Sequence, residues 1–168
     1  MSDVAIEIFD MLMKTGVIKT KGMNSYQKTE QLLKDYKYYH LIIDNKEKRK
    51  KEIIAEGILK GGVPNETRPI NTNYKSDLEK MEDKLNKLEI RTSVTEKCLF
   101  LIEEALKTIK KDKYYTIIEL LYFEKKPARE VAEILEVDES TISRNKRRLI
   151  KILRTQLVPD DLVTEILF

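Results

Sequence analysis

The run Pro127–Leu153, PAREVAEILEVDESTISRNKRRLIKIL, decides the fold. Its first part, about 128–136, sets Val131, Ala132 and Leu135 on one face, the i, i+1, i+4 pattern of a short helix with a buried stripe. Val137 and Asp138 make a turn. Asp138 is the expected N-cap of a second helix, with Glu139 in the first turn, where the helix dipole favours an anion. Ile142, Leu149, Ile150 and Leu153 form the buried side of that second helix, and Ser143, Arg144, Lys146, Arg147, Lys151 and Arg154 its other side. From Ser140 to Gln156 there are six Lys or Arg and no Asp or Glu. A helical hairpin at the corner of a bundle would mix the signs. The apolar spacing, the capped turn and the single sign of charge together predict a helix-turn-helix whose second helix lies in the major groove of DNA.

Just upstream, 114–124 reads as a further helix with Ile117, Ile118, Leu121 and Tyr122 turned toward this motif. Lys125, Lys126 and Pro127 link the two, with Pro127 suited to a first helical position. Before that, Ser76-Asp77-Leu78-Glu79 is a capping box opening a long helix. Its apolar positions fall in heptad order: Leu78, Met81, Leu85, Leu88, Thr92, Thr95, Leu99, Ile102, Leu106 and Ile109. Eight of these ten are apolar, which suits a coiled coil or bundle. The pattern serves equally for self-pairing and for packing on an earlier helix. Lys110–Lys113 interrupts it.

Residues 61–73, GGVPNETRPINTN, read as a linker. Ser25 is the expected cap of a helix reaching about Leu59, with Leu33, Tyr36, Tyr39, His40 and Ile43 inward. Within it, 44–52 (DNKEKRKKE) holds five bases, three acids and no apolar residue. Interleaved acids weaken any field, so a solvated stretch is expected there rather than a phosphate patch. Tyr36, Tyr38 and Tyr39 are expected to serve as core rather than as base-stacking platforms. Residues 1–22 suggest a short helix with Val4, Ile8, Phe9, Leu12 and Met13 on one side, expected to dock on the body rather than to engage a partner. Val158-Pro159-Asp160-Asp161 restarts a tail helix with Leu162, Ile166, Leu167 and Phe168, expected to cover core rather than to touch polymerase or a partner chain.

The run from Tyr122 to Leu153 resembles the helix-turn-helix of bacterial sigma-factor region four. Tyr122-Phe123-Glu124, then Ala132 to Leu135, then Ser140-Thr141-Ile142 stand in the places of that family's pattern. The continuation Ser143-Arg144, then Lys146-Arg147-Arg148, after a long helical N-terminal part, is more similar to phage late-transcription regulators of the ArpU and RinA type. The resemblance covers about 113–155. It implies a phage or prophage activator of late genes acting with host RNA polymerase. Two positions depart from the sigma pattern: Glu136 stands where the turn usually has Gly, and Lys146 where a core Leu is usual. No sigma region-two signature is evident.

Composition agrees with a helical, intracellular protein. Charged residues are 36% of the 168 and apolar ones 41%, with five Gly and four Pro, which suits long solvated helices. The net charge is only +3, so the basic character is local. The one Cys, Cys98, excludes an internal disulfide framework, and no apolar run approaches a membrane span. A single His, His40, and a single Cys cannot supply a zinc set, and no phosphate-cradling Gly-rich loop or paired-carboxylate motif appears. Neither an enzyme nor a cofactor is expected.

The expectation is therefore an all-α chain in four parts: an N-terminal helical region at 1–60, a linker at 61–75, a heptad helix at 76–111, and a helix-turn-helix domain at 112–168. Its function is sequence-specific DNA-binding transcription regulation in the bacterial cytoplasm. Ser140, Thr141, Ser143, Arg144 and Asn145 are the candidate base readers, since Arg and Asn pair bidentately with G and A. Lys146, Arg147, Arg148, Lys151 and Arg154 are the candidate phosphate contacts. The expected partners are double-stranded promoter DNA, RNA polymerase and a second copy of the chain, with no membrane. Two alternatives have the same parts: a packaging protein like a small terminase subunit, and a sigma-like factor that joins core polymerase directly.

Overall fold

The computed structural model describes residues 22–61 and 76–158. The expected N-terminal docking helix, the linker and the tail helix lie outside them. Among the described residues the chain is all-α, as expected from its composition.

Helix α1, Ser25–Asp44, is capped by Asn24 rather than Ser25. Asn24 Oδ1 accepts from Gln27 N at 2.9 Å and Gln27 Oε1 accepts from Asn24 N at 3.1 Å, a reciprocal box that satisfies two end donors. Ser25 instead lies fully buried. The single helix expected from Ser25 to Leu59 is interrupted at Asn45, and α2 runs Lys46–Gly61. Asn45 N still donates to Leu41 O at 3.1 Å. Its side-chain Nδ2 donates to the same carbonyl at 2.8 Å, the local competition by which Asn disturbs a helix ladder.

Helix α3, Asp77–Ile109, is 33 residues long, roughly 50 Å at 1.5 Å per residue. Its Ser76 box forms as expected, with Glu79 N to Ser76 Oγ at 3.1 Å and Ser76 N to Glu79 Oε2 at 2.7 Å. It runs antiparallel to α1 and α2. Tyr36 and His40 meet Glu103, Lys46 meets Glu96, and Glu56 meets Lys84. Gly57 lets α2 approach closely, since a Cβ there would collide with Met81. Apart from the exposed Leu78, the heptad seam of α3 thus packs within the chain, against α1 and α2 and, toward its C-terminal end, in one core with residues 149–153. Its two Thr interruptions are fully buried, and each hydroxyl donates one turn back, Thr92 to Leu88 O at 3.0 Å and Thr95 to Arg91 O at 2.8 Å. That leaves their methyl groups to pack without an unsatisfied polar atom.

Helix α4, Tyr115–Ile118, widens into a π-helical turn, Glu119–Phe123, closed by Glu124 N to Glu119 O at 2.9 Å. The extra residue changes which side chains face inward. Ile117 and Leu120 join a small core, Ile118 and Tyr122 the main one, and Leu121 flanks both. Helices α5, Ala128–Ile134, and α6, Glu139–Leu157, complete the chain. Pro127 caps α5 rather than opening it.

The main core joins Leu33 and Tyr39 of α1, Cys98 and Ile102 of α3, Tyr122, and Leu149, Ile150 and Leu153 of α6. The small core holds Ile117, Leu120, Val131, Ala132 and Ile142. The division expected between 111 and 112 therefore does not fall between two cores. The inner side of α6 is built into the same apolar interior as α1 and α3.

Candidate nucleic-acid interface

The turn between α5 and α6 sets how α6 is presented. Glu136 N donates to Glu133 O at 3.3 Å and Val137 N to Ala132 O at 3.0 Å. This double closure is a Schellman motif, which needs a left-handed residue at its centre. Glu136 takes that place with φ 54, although Gly is favoured there. Asp138 then caps α6 in extended conformation, φ −68 and ψ 148, its carbonyl accepting from Ile142 N at 3.2 Å, with no bond from its side chain. Ile142, Leu149, Ile150 and Leu153 are all fully buried. Each such side chain favours the observed seating by about 1.5–3 kcal/mol. That seating determines which side of α6 meets solvent.

Six of the ten candidate contacts are exposed: Arg148, which the Asp112 carboxylate holds, and Ser140, Ser143, Arg144, Arg147 and Lys151, which no carboxylate among the described residues holds. At 3.6 residues per turn the latter five fall within an arc of roughly 100° and a length of about 17 Å. Thr141 is half-buried at the edge of this stripe.

The other four, Arg148 included, are drawn into internal contacts. Asn145 is buried, its Nδ2 donating to Thr141 O at 2.9 Å and its Oδ1 accepting from Arg148 Nε at 3.3 Å. Lys146 is half-buried, with Nζ 2.7 Å from Glu30 Oε1 on α1 and 5.9 Å from the centre of the Tyr122 ring. Tyr122 donates to the same Glu30 oxygen at 2.5 Å. Burial pushes the Glu30 carboxyl up, but the bonds from Lys146 and Tyr122 outweigh it and hold the group below its usual value. Arg148 grips Asp112 with two nitrogens at 2.7 and 2.8 Å. Arg154 is half-buried, its Nη1 3.4 Å from Ser25 Oγ. The geometry thus moves Asn145 out of the base-reading set, and sets Lys146, Arg148 and Arg154 to hold α6 on α1 and on the α3–α4 corner.

Two features escaped the sequence reading. Lys110, Lys111 and Lys113 are exposed around Asp112 and so lie beside Arg148 on one flank of the stripe. Three Lys in four residues was the available signal. At the other end, Glu133, Glu136, Asp138 and Glu139 line an open cleft at the turn, with only Arg129 opposing them. Arg129 is itself held by Glu133 at 3.3 Å. These carboxylates make the turn anionic, in contrast to the exposed Arg144, Arg147 and Lys151 further along α6.

Elsewhere His40 lies edge-on to Tyr36, with ring centres 4.8 Å apart and Nε2 3.9 Å from Glu103. Burial pushes the Cys98 thiol up to about 12, far from a reactive thiolate. Among the described residues no cluster of three His, Cys, Asp or Glu could hold a metal ion, and no helix is long and apolar enough to cross a membrane. No protein-family model matches the chain, and no curated protein or solved structure matches it.

Proposed function

We propose that the chain is a sequence-specific DNA-binding transcription regulator without catalytic activity or cofactor. In this reading α6 lies in the major groove of promoter DNA. The resemblance around the helix-turn-helix extends the proposal to a phage or prophage late-gene activator that works with host RNA polymerase in the bacterial cytoplasm. The observation that carries it is the exposed stripe of Ser140, Ser143, Arg144, Arg147 and Lys151, cationic and free of carboxylates, backed by a fully buried apolar side. A stripe of about 17 Å on a helix about 10–12 Å across suits a major groove about 12 Å wide. Arg144, with Ser140 and Ser143 beside it, reads base edges. Arg147 and Lys151 hold phosphates, and Lys110, Lys111 and Lys113 extend the phosphate contact on the flank.

The test is selection of bound duplexes from a random pool, followed by salt titration of the winner. One enriched sequence, with affinity falling steeply as salt rises, supports the reading. Equal binding of every duplex would reduce α6 to a non-specific polycation and overturn it.

A further inference from the structure

The antiparallel contact of α1 and α2 with α3 leaves an open groove of about 470 Å³ around the Asn45 break. Its floor is apolar: Ile42, Ile53 and Leu88. Tyr38 forms one wall and is 58% exposed, and Leu41, one turn along the same side of α1, is 55% exposed. The rim carries Arg49, Lys84, Lys87 and Arg91. Arg49 and Lys84 are met by Glu52 and Glu56 at 2.8 and 3.0 Å. Lys87 and Arg91 are exposed and have no carboxylate partner among the described residues. An apolar floor inside a cationic rim is mismatched to a bare phosphate strand, which gains nothing from Ile and Leu. It is matched to a helix with acids on one side and large apolar side chains on the other.

The chain contains such a segment. Residues 160–168, DDLVTEILF, carry three acids and no base, and at helical spacing Leu162, Val163, Ile166 and Leu167 fall opposite those acids, with Phe168 on the acidic side. Their own groove is beyond helical reach. Helix α6 runs antiparallel to α1, from Lys146 beside Glu30 to Arg154 beside Ser25, so Val158 leaves at the start of α1. The groove begins at Tyr38, about 20 Å further along α1, and is centred near Asn45, about 30 Å along. A nine-residue helix spans only about 13 Å. We infer that residues 160–168 of one chain dock in the groove of a second copy, with Asp160, Asp161 and Glu165 facing Lys87 and Arg91 and the opposite, apolar side on Ile42, Ile53 and Leu88. The inference does not depend on the DNA reading, because none of these residues belongs to the α6 stripe.

Sedimentation of the full chain over a range of concentrations tests it. The wild-type chain is expected to associate with rising concentration. The exposed pair Lys87→Glu and Arg91→Glu is expected to weaken association about tenfold or more, with the helical circular dichroism unchanged. Adding Asp160→Lys and Asp161→Lys to that chain is expected to restore association. A wild-type chain that stays monomeric at every concentration would overturn the proposal, whether the groove is then filled by another protein or by nothing. Association that ignores the groove charges, or that the swapped tail does not restore, would overturn it as well.

Discussion

Arg148 and Asp112 form a two-pronged pair, Nη1 to Oδ2 at 2.7 Å and Nη2 to Oδ1 at 2.8 Å, that pins the middle of α6 to the corner after α3. The corner is itself braced, because the same carboxylate accepts from Tyr114 N at 2.9 Å. A guanidinium committed in this way has little left for a phosphate. Arg148 and Lys151, alike in type and adjacent on the helix, therefore have different tasks.

Arg148→Ala is expected to lower stability by about 1 kcal/mol or less, as for a partly exposed ion pair, while leaving the salt dependence of DNA binding nearly unchanged. Lys151→Ala is expected to leave stability alone and to reduce the salt slope by about 1. Thermal unfolding and salt titration of the two variants check this. A reduced slope for Arg148→Ala would mean that its pair with Asp112 opens on DNA.

Acid should release the same corner. The Arg148 guanidinium, helped by the Tyr114 N–H, holds the Asp112 carboxyl down at about 2, against about 3.9 in an unfolded chain. A depressed carboxylate contributes stability that is complete above the unfolded value and is lost as pH falls from about 4 through about 2. Unfolding free energy should thus decline over that window, and the decline should be smaller in Asp112→Asn. An identical acid profile for the variant would remove Asp112 from the account.

Arg144 is exposed on the first turns of α6 with no internal partner among the described residues. Arg144→Ala is expected to relax specificity by about 1–3 kcal/mol at one base pair. Binding measured on the selected site, on single-base variants and on random duplex checks it. Equal loss on all three would place Arg144 among the phosphate contacts.

Glu136 is held in the left-handed region at φ 54 by the Schellman closure. Glu136→Gly relieves that strain but loosens the unfolded chain, so the net gain expected is about 0.5–1 kcal/mol. Its removal also takes one carboxylate from the cleft at the turn, so DNA affinity should rise rather than fall. A lower melting temperature would show that the Glu136 side chain contributes more than its backbone strain costs.

Local rules made part of this protein legible in its sequence. The alternation of Val131, Ala132 and Leu135 with Ile142, Leu149, Ile150 and Leu153 determined two helices and their buried sides, because a 3.6-residue period allows few other arrangements. Ser76 and Glu79 marked the start of α3 for the same reason: a capping box is satisfied within four residues. Lys146 was nearly legible too. It stands four after Ile142 and three and four before Leu149 and Ile150, a spacing that belongs to the inner side, but its charge put it with the outer residues in the sequence reading.

The rest belonged to tertiary structure. The heptads of α3 could not name their partner, since an apolar seam has no address. Only packing assigned it to α1, α2 and α6 of the same chain. Sequence separation also hid the partners of α6: Glu30 lies far before Lys146, and Asp112 well before Arg148. Charge type told that these cations sit on α6. Which of them faces solvent depended on where a distant carboxylate came to rest, and that is decided by the folding of the core around Leu149, Ile150 and Leu153.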